Sequence, residues 1–433
     1  MTLKNLHNST GDLNYPKVLP TLDLNFANSK SLDSRITFTR SSGGSYIGPD
    51  GLIKYTGVNQ PRFDHDPVTG ESLGLMVESS RTNLLIYSEQ IDNVIWTKTG
   101  ITSIQTNKIS SPEGTITADT FVETTGVSEL HGISQTFSTS SGTIYTASAY
   151  LKANQRHYAN LSFSPNATWN GTGANAYFDL QNGIVFSTTN CAAIIQESPN
   201  GWFRCIIIAT ATGTNTTANI SINSSINGSS VTYAGNGSSP FYIWGTQVEV
   251  GAFQTSYIPT VASQRTRAAD DVSITGVKFS SWYNQNEGVM YSNVSVNRRF
   301  PSTSVEAPGV WTLDNGGFGR GYGLITQGSF TNYTLRIFQQ GISFSNIVAN
   351  LMDTKKLKNC SIISPSVGNE ILSCSNSNFS TRLTSFSSNL IMTRLIIGNN
   401  NIGGAVAYLN GNIKRLTYYP RKLSISQLQT LTK

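Results

Sequence analysis

Charge is what this 433-residue chain has least of: Asp, Glu, Lys and Arg together make up 12%, about half of the ~25% usual in soluble globular proteins. A chain so poor in Glu, Lys and Arg is ill suited to coiled coils and long solvent-exposed helices, which are built on those residues. Disorder is excluded from the other side, because disordered segments combine many charges with few aromatics, and here aromatics reach 10%. No run approaches the 18 or so apolar residues of a membrane-spanning helix, so no membrane insertion is expected. The opening residues 1–10 lack the basic-then-apolar profile of a secretory signal. The four cysteines, Cys191, Cys205, Cys360 and Cys374, never fall in Cys-x-x-Cys spacing, which removes the common structural zinc sites. What fills the gap is Ser, Thr, Asn and 38 Gly, interleaved with β-branched and aromatic residues. That is the composition of β-strands separated by turns, as in extracellular or virion β-sandwiches.

The charge that exists is unevenly placed. Residues 1–94 and 95–260 each carry a net −2, whereas residues 261–433 hold 17 basic and 7 acidic side chains, a net +10. A single-sign excess of this kind points to an anionic partner for the last third, such as an acidic glycan, lipopolysaccharide phosphate or a neighbouring protein. Nucleic acid is not expected, since no DNA- or RNA-binding signature accompanies the charge.

Four stretches organise the chain. Residues 1–94 form an arm of short alternating runs broken by turns at 41–44, 48–51 and 66–70, with too little apolar mass for a core of its own; it is expected to pack on the rest of the chain or on other subunits. Residues 95–260 show strands at the 8–15-residue spacing of a sandwich. Residues 261–271 read as a linker, and residues 272–433 as a second set of strands. The hairpin ending at Trp202 is expected to turn at Asn200-Gly201 in a two-residue type I′ loop, which sets Cys191 opposite Thr210 and leaves Cys191 and Cys205 out of register. A three-residue loop at 366–368 sets Cys360 opposite Cys374, as two buried thiols or a cross-strand disulfide. The tail from Ser424 to Leu431 carries a Ser-x-x-Gln capping box and apolar residues at 425, 428 and 431, and predicts the one substantial helix.

Chemistry-bearing patterns are few. Asp64-His65-Asp66 invites a metal, but consecutive strand residues alternate faces, so a solvated turn-flanking triplet is favoured. A glycosidase needs two carboxylates about 5–10 Å apart; Glu123 with Glu129, or Glu249 with Asp179, are the pairs available, with a structural Ca²⁺ the better alternative for Glu249. No other cofactor is implied and no catalytic residue is assigned. The loop Gly316–Gly323 is the least usual local sequence: its glycines hold out Phe318, Arg320 and Tyr322, which suit stacking on a sugar or meeting an anionic group, against a plain flexible loop. Trp169, in the polar loop 165–171, is a candidate glycan platform or a packing residue. Trp96, Trp202, Trp244, Trp282 and Trp311 sit in apolar alternation and are expected in cores.

The run Leu32-Asp-Ser-Arg-Ile-Thr-Phe-Thr-Arg40, followed by Asp50-Gly-Leu-Ile-Lys54, residues 59–67, Gly74-Leu-Met-Val-Glu78 and Arg81-Thr-Asn-Leu-Leu85, resembles a segment widespread in structural proteins of tailed bacteriophages. Those proteins continue, as here, with an Asn-x-x-Trp strand (Asn93 to Trp96) and a jelly roll like carbohydrate-binding modules. That jelly roll closes with a Trp-Gly-x-Gln-x-Glu strand (Trp244 to Glu249) and a Ser-Tyr-Ile-Pro-Thr exit (Ser256 to Thr260). The C-terminal part resembles concanavalin A/laminin-G-like sandwiches, with Gly411-Asn-Ile-Lys-Arg-Leu-Thr-Tyr-Tyr-Pro420 before the short helix. The resemblance covers roughly residues 20–433 and supplies no catalytic residues. It implies an all-β protein of two antiparallel β-sandwiches, a jelly roll plus a concanavalin A-like domain, preceded by an extended hairpin-rich N-terminal arm. It also implies a virion component, assembled in the host cytoplasm, among other virion proteins. The expected role is a tail-fibre or appendage adhesin for host-surface glycan or lipopolysaccharide, as a homotrimer. A purely architectural head or baseplate protein and a glycan depolymerase are the alternatives.

Overall fold

The computed structural model describes residues 15–296, 308–316, 321–327, 333–339, 342–349, 356–364, 370–375, 378–383, 391–400 and 406–433. Two antiparallel β-sandwiches make up the described chain. In the first, one sheet runs Ala192–Ser198, Trp202–Thr210, Ile144–Ala153, Phe241–Val250, Ile116–Glu123, Ile101–Ser110, and the other Ile184–Thr189, Ala174–Asp179, Tyr158–Ser164, Asn215–Ser225, Gly132–Thr139, Thr97–Thr99. Period-two alternation explains the layering. The strand Tyr158–Ser164 sends Ala159, Leu161 and Phe163 into a core shared with Phe121, Leu151, Phe178, Ile207 and Val248, and leaves Tyr158, Ser162 and Ser164 outside. Trp96, Trp202, Trp244, Trp282 and Trp311 are all buried, as their alternation predicts.

The second sandwich is built from both ends of the sequence. Its first sheet is ordered Asn378–Leu383, Glu370–Ser375, Lys356–Ser364, Gly288–Val296, Gly411–Tyr419, Ser72–Val77, Phe63–His65, with Leu22–Leu24 also pairing to Gly411–Tyr419. The second is ordered Thr37–Thr39, Asp271–Thr275, Arg394–Ile397, Gly309–Asp314, Gly321–Gln327, Tyr333–Gln339, Ile342–Ala349. Leu22, Leu24, Phe26, Leu75 and Val77 share a core with Trp311, Leu395 and Leu416.

Of the two expectations for residues 1–94, packing on the rest of the chain or on other subunits, the described part follows the first. Leu22–Leu24, Thr37–Thr39, Phe63–His65 and Ser72–Val77 complete the C-terminal sheets of their own chain, while Gly44–Ile47 pairs with Ile53–Thr56 as a separate hairpin, so the order of these strands requires no neighbouring subunit. The linker expected at 261–271 is corrected. Arg265–Arg267 pairs with Arg81–Asn83, Asp271–Thr275 joins a sheet, and Arg267 and Asp270 are buried.

The hairpin before Trp202 turns through three residues, Pro199, Asn200 and Gly201, with Asn200 at φ 62° and Gly201 at φ 74°. Ser198 therefore faces Trp202, one residue off the two-residue register expected, and Cys205 faces Ile195. Cys191 and Cys205 remain unpaired. Cys360 does stand opposite Cys374, while the turn residues 365–369 lie outside the described residues. The terminal helix Ile425–Thr432 carries the expected box: Ser424 Oγ accepts from Gln427 N, and the Gln427 side chain accepts from Ser424 N. Among the described residues its eight residues exceed the four of each other α-helix, and no helix there is long and apolar enough to cross a membrane.

Candidate functional site

The motifs that carry the resemblance meet at one place, where the N-terminal hairpins and both sandwiches touch. Arg40, Arg62, Glu78, Arg267 and Asp270 form a buried ionic node. Arg62 Nη1 donates to Glu78 Oε2 at 2.7 Å, to Ser256 Oγ at 2.8 Å and to Ser45 O at 3.0 Å, and its Nη2 donates to Asp270 Oδ2. Arg40 Nη1 donates to Asp270 Oδ1 at 2.9 Å, and Arg267 lies 3.4 Å from Glu78. Burial alone would push the Glu78 carboxyl up; Arg267, Arg62 and the Ser256 donors outweigh it and hold it down to about 2. Beside the node, Glu249 accepts from Gln247 Nε2, Thr255 N and Thr255 Oγ1, and Gln247 Oε1 accepts from Ile258 N. The Trp-Gly-x-Gln-x-Glu strand and the Ser-Tyr-Ile-Pro-Thr exit are thus the jelly roll's half of this joint. Their polar residues are architectural, since a buried charge is tolerated only when paired and hydrogen-bonded.

Against the node lies a cavity of about 400 Å³, within the usual range for small-molecule sites. Its walls come from the strand Phe63–His65 and the turn after it, from Tyr46 and Ile53 of the preceding hairpin, from Tyr150 and Arg204 of the jelly roll, and from Gln254 and Ser295. Asp64 and His65 are both buried, which corrects the solvated triplet expected there. The reason is a register shift between them in the pairing with Ser72–Val77. Such a bulge interrupts alternation and lets consecutive side chains turn the same way. Asp64 Oδ1 accepts from Ile47 N at 2.7 Å and its Oδ2 from Asn412 Nδ2 at 3.3 Å. Burial raises this carboxyl to about 7, with the two donors holding it back. His65 Nδ1 lies 3.0 Å from Ile47 O; a carbonyl only accepts, so Nδ1 carries a proton and donates to it. Asp66 closes the turn, accepting from Val68 N and Thr69 N. The His65 Nε2, Gln254 Oε1 and Ser295 Oγ atoms are buried without a partner.

A second feature stands on the outer face of the jelly roll. Phe186, on the edge strand Ile184–Thr189, is 48% exposed and meets Tyr158 edge-on at 5.4 Å between ring centres, while the His157 ring is tilted against Tyr158 at 4.3 Å. Ile184, two positions before Phe186, and Ile226, two before Gly228, are also exposed. Gly228 (φ 70°) lets the loop close on this ledge, since a Cβ there would come 2.7 Å from the Phe186 ring. Along the same sheet, Tyr158, Ser162 and Ser221 face outward, half-buried. An aromatic ledge bordered by hydroxyls and amides combines stacking surface with donors and acceptors.

Of the residues singled out from sequence, Trp169 is corrected: it is 1% exposed and stacks on Phe163 at 4.3 Å, so its face is filled by the core and cannot serve as a platform. Phe318 and Arg320 lie outside the described residues; Tyr322 falls in the strand Gly321–Gln327, its side chain undescribed. The carboxylate pairs do not form sites. Glu123 accepts from Arg156, Tyr233, Asn236 and Ser238; burial pushes it up, but these donors prevail and hold it at about 2. Glu129 accepts from Thr124 Oγ1, and Asp179 accepts from the turn residues Gln181 and Asn182. Glu249 has its donors from protein, and among the described residues no cluster of three or more His, Cys, Asp or Glu could hold a metal. Gly70-Glu-Ser72-Leu-Gly74 has the spacing of a nucleophile elbow, but it runs from a turn straight into the strand Ser72–Val77. An elbow needs a helix directly after it. Sequence reasoning missed the cavity and the ledge; the Asp64–His65 pair and the β-branched run before Phe186 were the signals present.

No family model and no curated protein matches this chain. Among solved structures, it is similar to the CBM40 module of the Ruminococcus gnavus IT-sialidase over 36% of this chain and 88% of that one, at 13% identity and a TM-score of 0.28. The binding domain of botulinum neurotoxin DC, solved in complex with rat synaptotagmin II, is similar over 38% of this chain and 40% of that one, at 8% identity and a TM-score of 0.29. The Trypanosoma rangeli sialidase solved with sialic acid is similar over 73% and 60%, at 10% identity and a TM-score of 0.27. Likenesses this distant carry no functional argument.

Proposed function

We propose that this chain is a glycan-binding structural component of a bacteriophage virion, a tail-fibre or similar appendage protein that attaches to a host-surface glycan without cleaving it. The observation that carries the glycan reading is the ledge formed by exposed Phe186 with half-buried Tyr158 and His157 beside the polar outer sheet of the jelly roll. Contiguous apolar surface rimmed by polar side chains is the usual form of an interaction site. The virion reading rests on the resemblance of residues 32–85. Its charged residues Arg40, Arg62, Glu78 and Asp64 now have a structural reason, namely the joint that fixes the hairpins against both sandwiches. A binding role is supported over hydrolysis because each carboxylate pair weighed from the sequence is engaged by protein donors. The reading is tested by glycan-array and host-cell binding of the whole chain, with Phe186→Ala and Tyr158→Ala expected to weaken binding at least tenfold while leaving the fold intact.

A second reading, an architectural component in contact with neighbouring subunits, is supported by the edge strand itself. Ile184–Thr189 is exposed at five of its six positions and ends its sheet, an arrangement that invites pairing with another chain. A homotrimer joined through this edge would bury Phe186. Sedimentation of the Phe186→Asp variant separates the two readings, since loss of glycan binding with an unchanged oligomer supports attachment and dissociation supports assembly.

A further inference from the structure

The sheet that carries the ledge has a regular polar pattern on its outer face. Directly opposite residues of an antiparallel pair share a face, and the registers align one residue from each of its six strands: Thr97, Ser134, Ser221, Ser162, Asn175 and Thr189. All six are short, and each bears a hydroxyl or carboxamide that both donates and accepts. They alternate with Ile133, Ile222, Leu161 and Ala176, which are buried in the core. The row therefore stands outward, exposed at its two ends and half-buried between them. None of the six side chains makes a hydrogen bond among the described residues. With neighbouring strands about 4.8 Å apart, the row runs for about 24 Å.

Charge is nearly missing from the same sheet. Its six strands hold two charged residues, Lys98 and Asp179. Lys98 Nζ donates to the carbonyls of Asp92 and Asn93, and Asp179 accepts from its own turn. An anionic polymer finds no counter-charge in these strands. An apolar ligand would take water from the row's polar groups and return no hydrogen bond, which is costly. A protein partner is disfavoured because interface cores are rich in aromatics and poor in Ser. The chemistry that matches the row is a repeat of hydroxyls without charge.

We propose that an uncharged polysaccharide chain lies along this row, crossing the six strands and meeting the aromatic ledge at one end. Thr189 stands three positions from Phe186 on the edge strand, about 10 Å away, so a sugar beyond Thr189 reaches the ring. The proposal rests on the attachment reading and deepens it: the ledge supplies a stacking surface, and the row sets the course of the chain and its class, neutral instead of acidic.

The test is the affinity of the full chain for immobilised dextran, mannan and galactan, with polygalacturonate and heparin as acidic counterparts. It is run at 1 M salt, where attraction to the basic residues 261–433 is screened. Saturable binding of at least one neutral polymer is expected, with the acidic ones at least tenfold weaker. Ser162→Glu should weaken the neutral polymer about tenfold or more. Ser162→Ala/Ser221→Ala should weaken it several-fold; this pair removes hydroxyls without adding bulk or charge, and so reads the row even if the glutamate disturbs the sheet. Thr210→Glu, at an exposed position on the other sheet, should leave it as it is. Weakening by Phe186→Ala with no effect of either serine variant would overturn the row and leave the attachment reading standing. Weakening by the serine variants alone would support the row and count against the ledge. Binding of acidic polymers only, or of none, would overturn the proposal.

Discussion

Replacing Arg62 by Ala removes the centre of the buried node. The Arg62 side chain is fully buried and bridges two carboxylates that are themselves buried, Glu78 and Asp270. Removing one partner of a buried ion pair costs about 3–5 kcal/mol, because the remaining charge is left uncompensated. Here the loss is moderated. Asp270 keeps Arg40 and the Glu78 backbone N–H, and Glu78 keeps Arg267 and both Ser256 donors. The lower end, about 3 kcal/mol, is therefore the expected loss, with Ser45 O and Ser256 Oγ each losing the Arg62 donor. Urea unfolding monitored by tryptophan fluorescence reads this directly: the midpoint of the transition should fall, and protease should begin to cut in the hairpins 40–80 before either sandwich. A loss below about 1 kcal/mol, with the hairpins still resistant, would refute the view that the node ties the three parts together.

The same contacts set other expectations. Asp64 is raised to about 7 from an ordinary carboxyl near 4, so between those values the folded state holds a proton the unfolded state has released. Stability should then fall as pH rises through that window, by up to about 4 kcal/mol. Asp64→Asn should flatten this slope and raise the melting temperature at pH 8, its amide finding the unpartnered Asn412 Oδ1; a steeper slope would contradict the assignment. Native trypsin digestion should leave the bonds after Arg265 and Arg267 intact, since both residues sit in the ladder with Arg81–Asn83, and rapid cleavage there would show the strand to be an open linker. The net +10 of residues 261–433 should make binding of the whole chain to an anionic host surface weaken as salt rises towards 1 M, where the Debye length is about 3 Å; salt-insensitive binding would assign the contact to aromatics and neutral hydrogen bonds.

Much of the fold is legible in the sequence because it depends on short-range pattern. Period-two alternation locates most strands, the Ser424 box locates the helix, and a turn count places Cys360 opposite Cys374. The features that escape depend on distance along the chain. That residues 22–24 and 72–77 pair with 411–419 has no local signature, so apolar runs too few for a core read as a free arm instead of as missing strands of another sheet. Arg267 and Asp270 read as linker residues because their partners, Glu78, Arg62 and Arg40, lie about 190 to 230 positions earlier. The site is less legible still. Alternation argues that Asp64 and His65 point apart, and a single bulge reverses that. Trp169 stands in a polar stretch of sequence, and the loop folds its ring onto Phe163. Phe186 draws no notice because a lone aromatic in a β-branched run reads as core, and only its place on an edge strand exposes it.

The attachment reading turns on the Phe186–Tyr158 ledge, and it is measured most directly by the affinity of the whole chain for purified host-surface polysaccharide, compared with a Phe186→Ala/Tyr158→Ala double variant of unchanged melting temperature. The account predicts saturable binding by the native chain, reduced at least tenfold in the variant. Native and variant chains that bind alike, or a native chain that binds no polysaccharide while still joining its assembly, would contradict it.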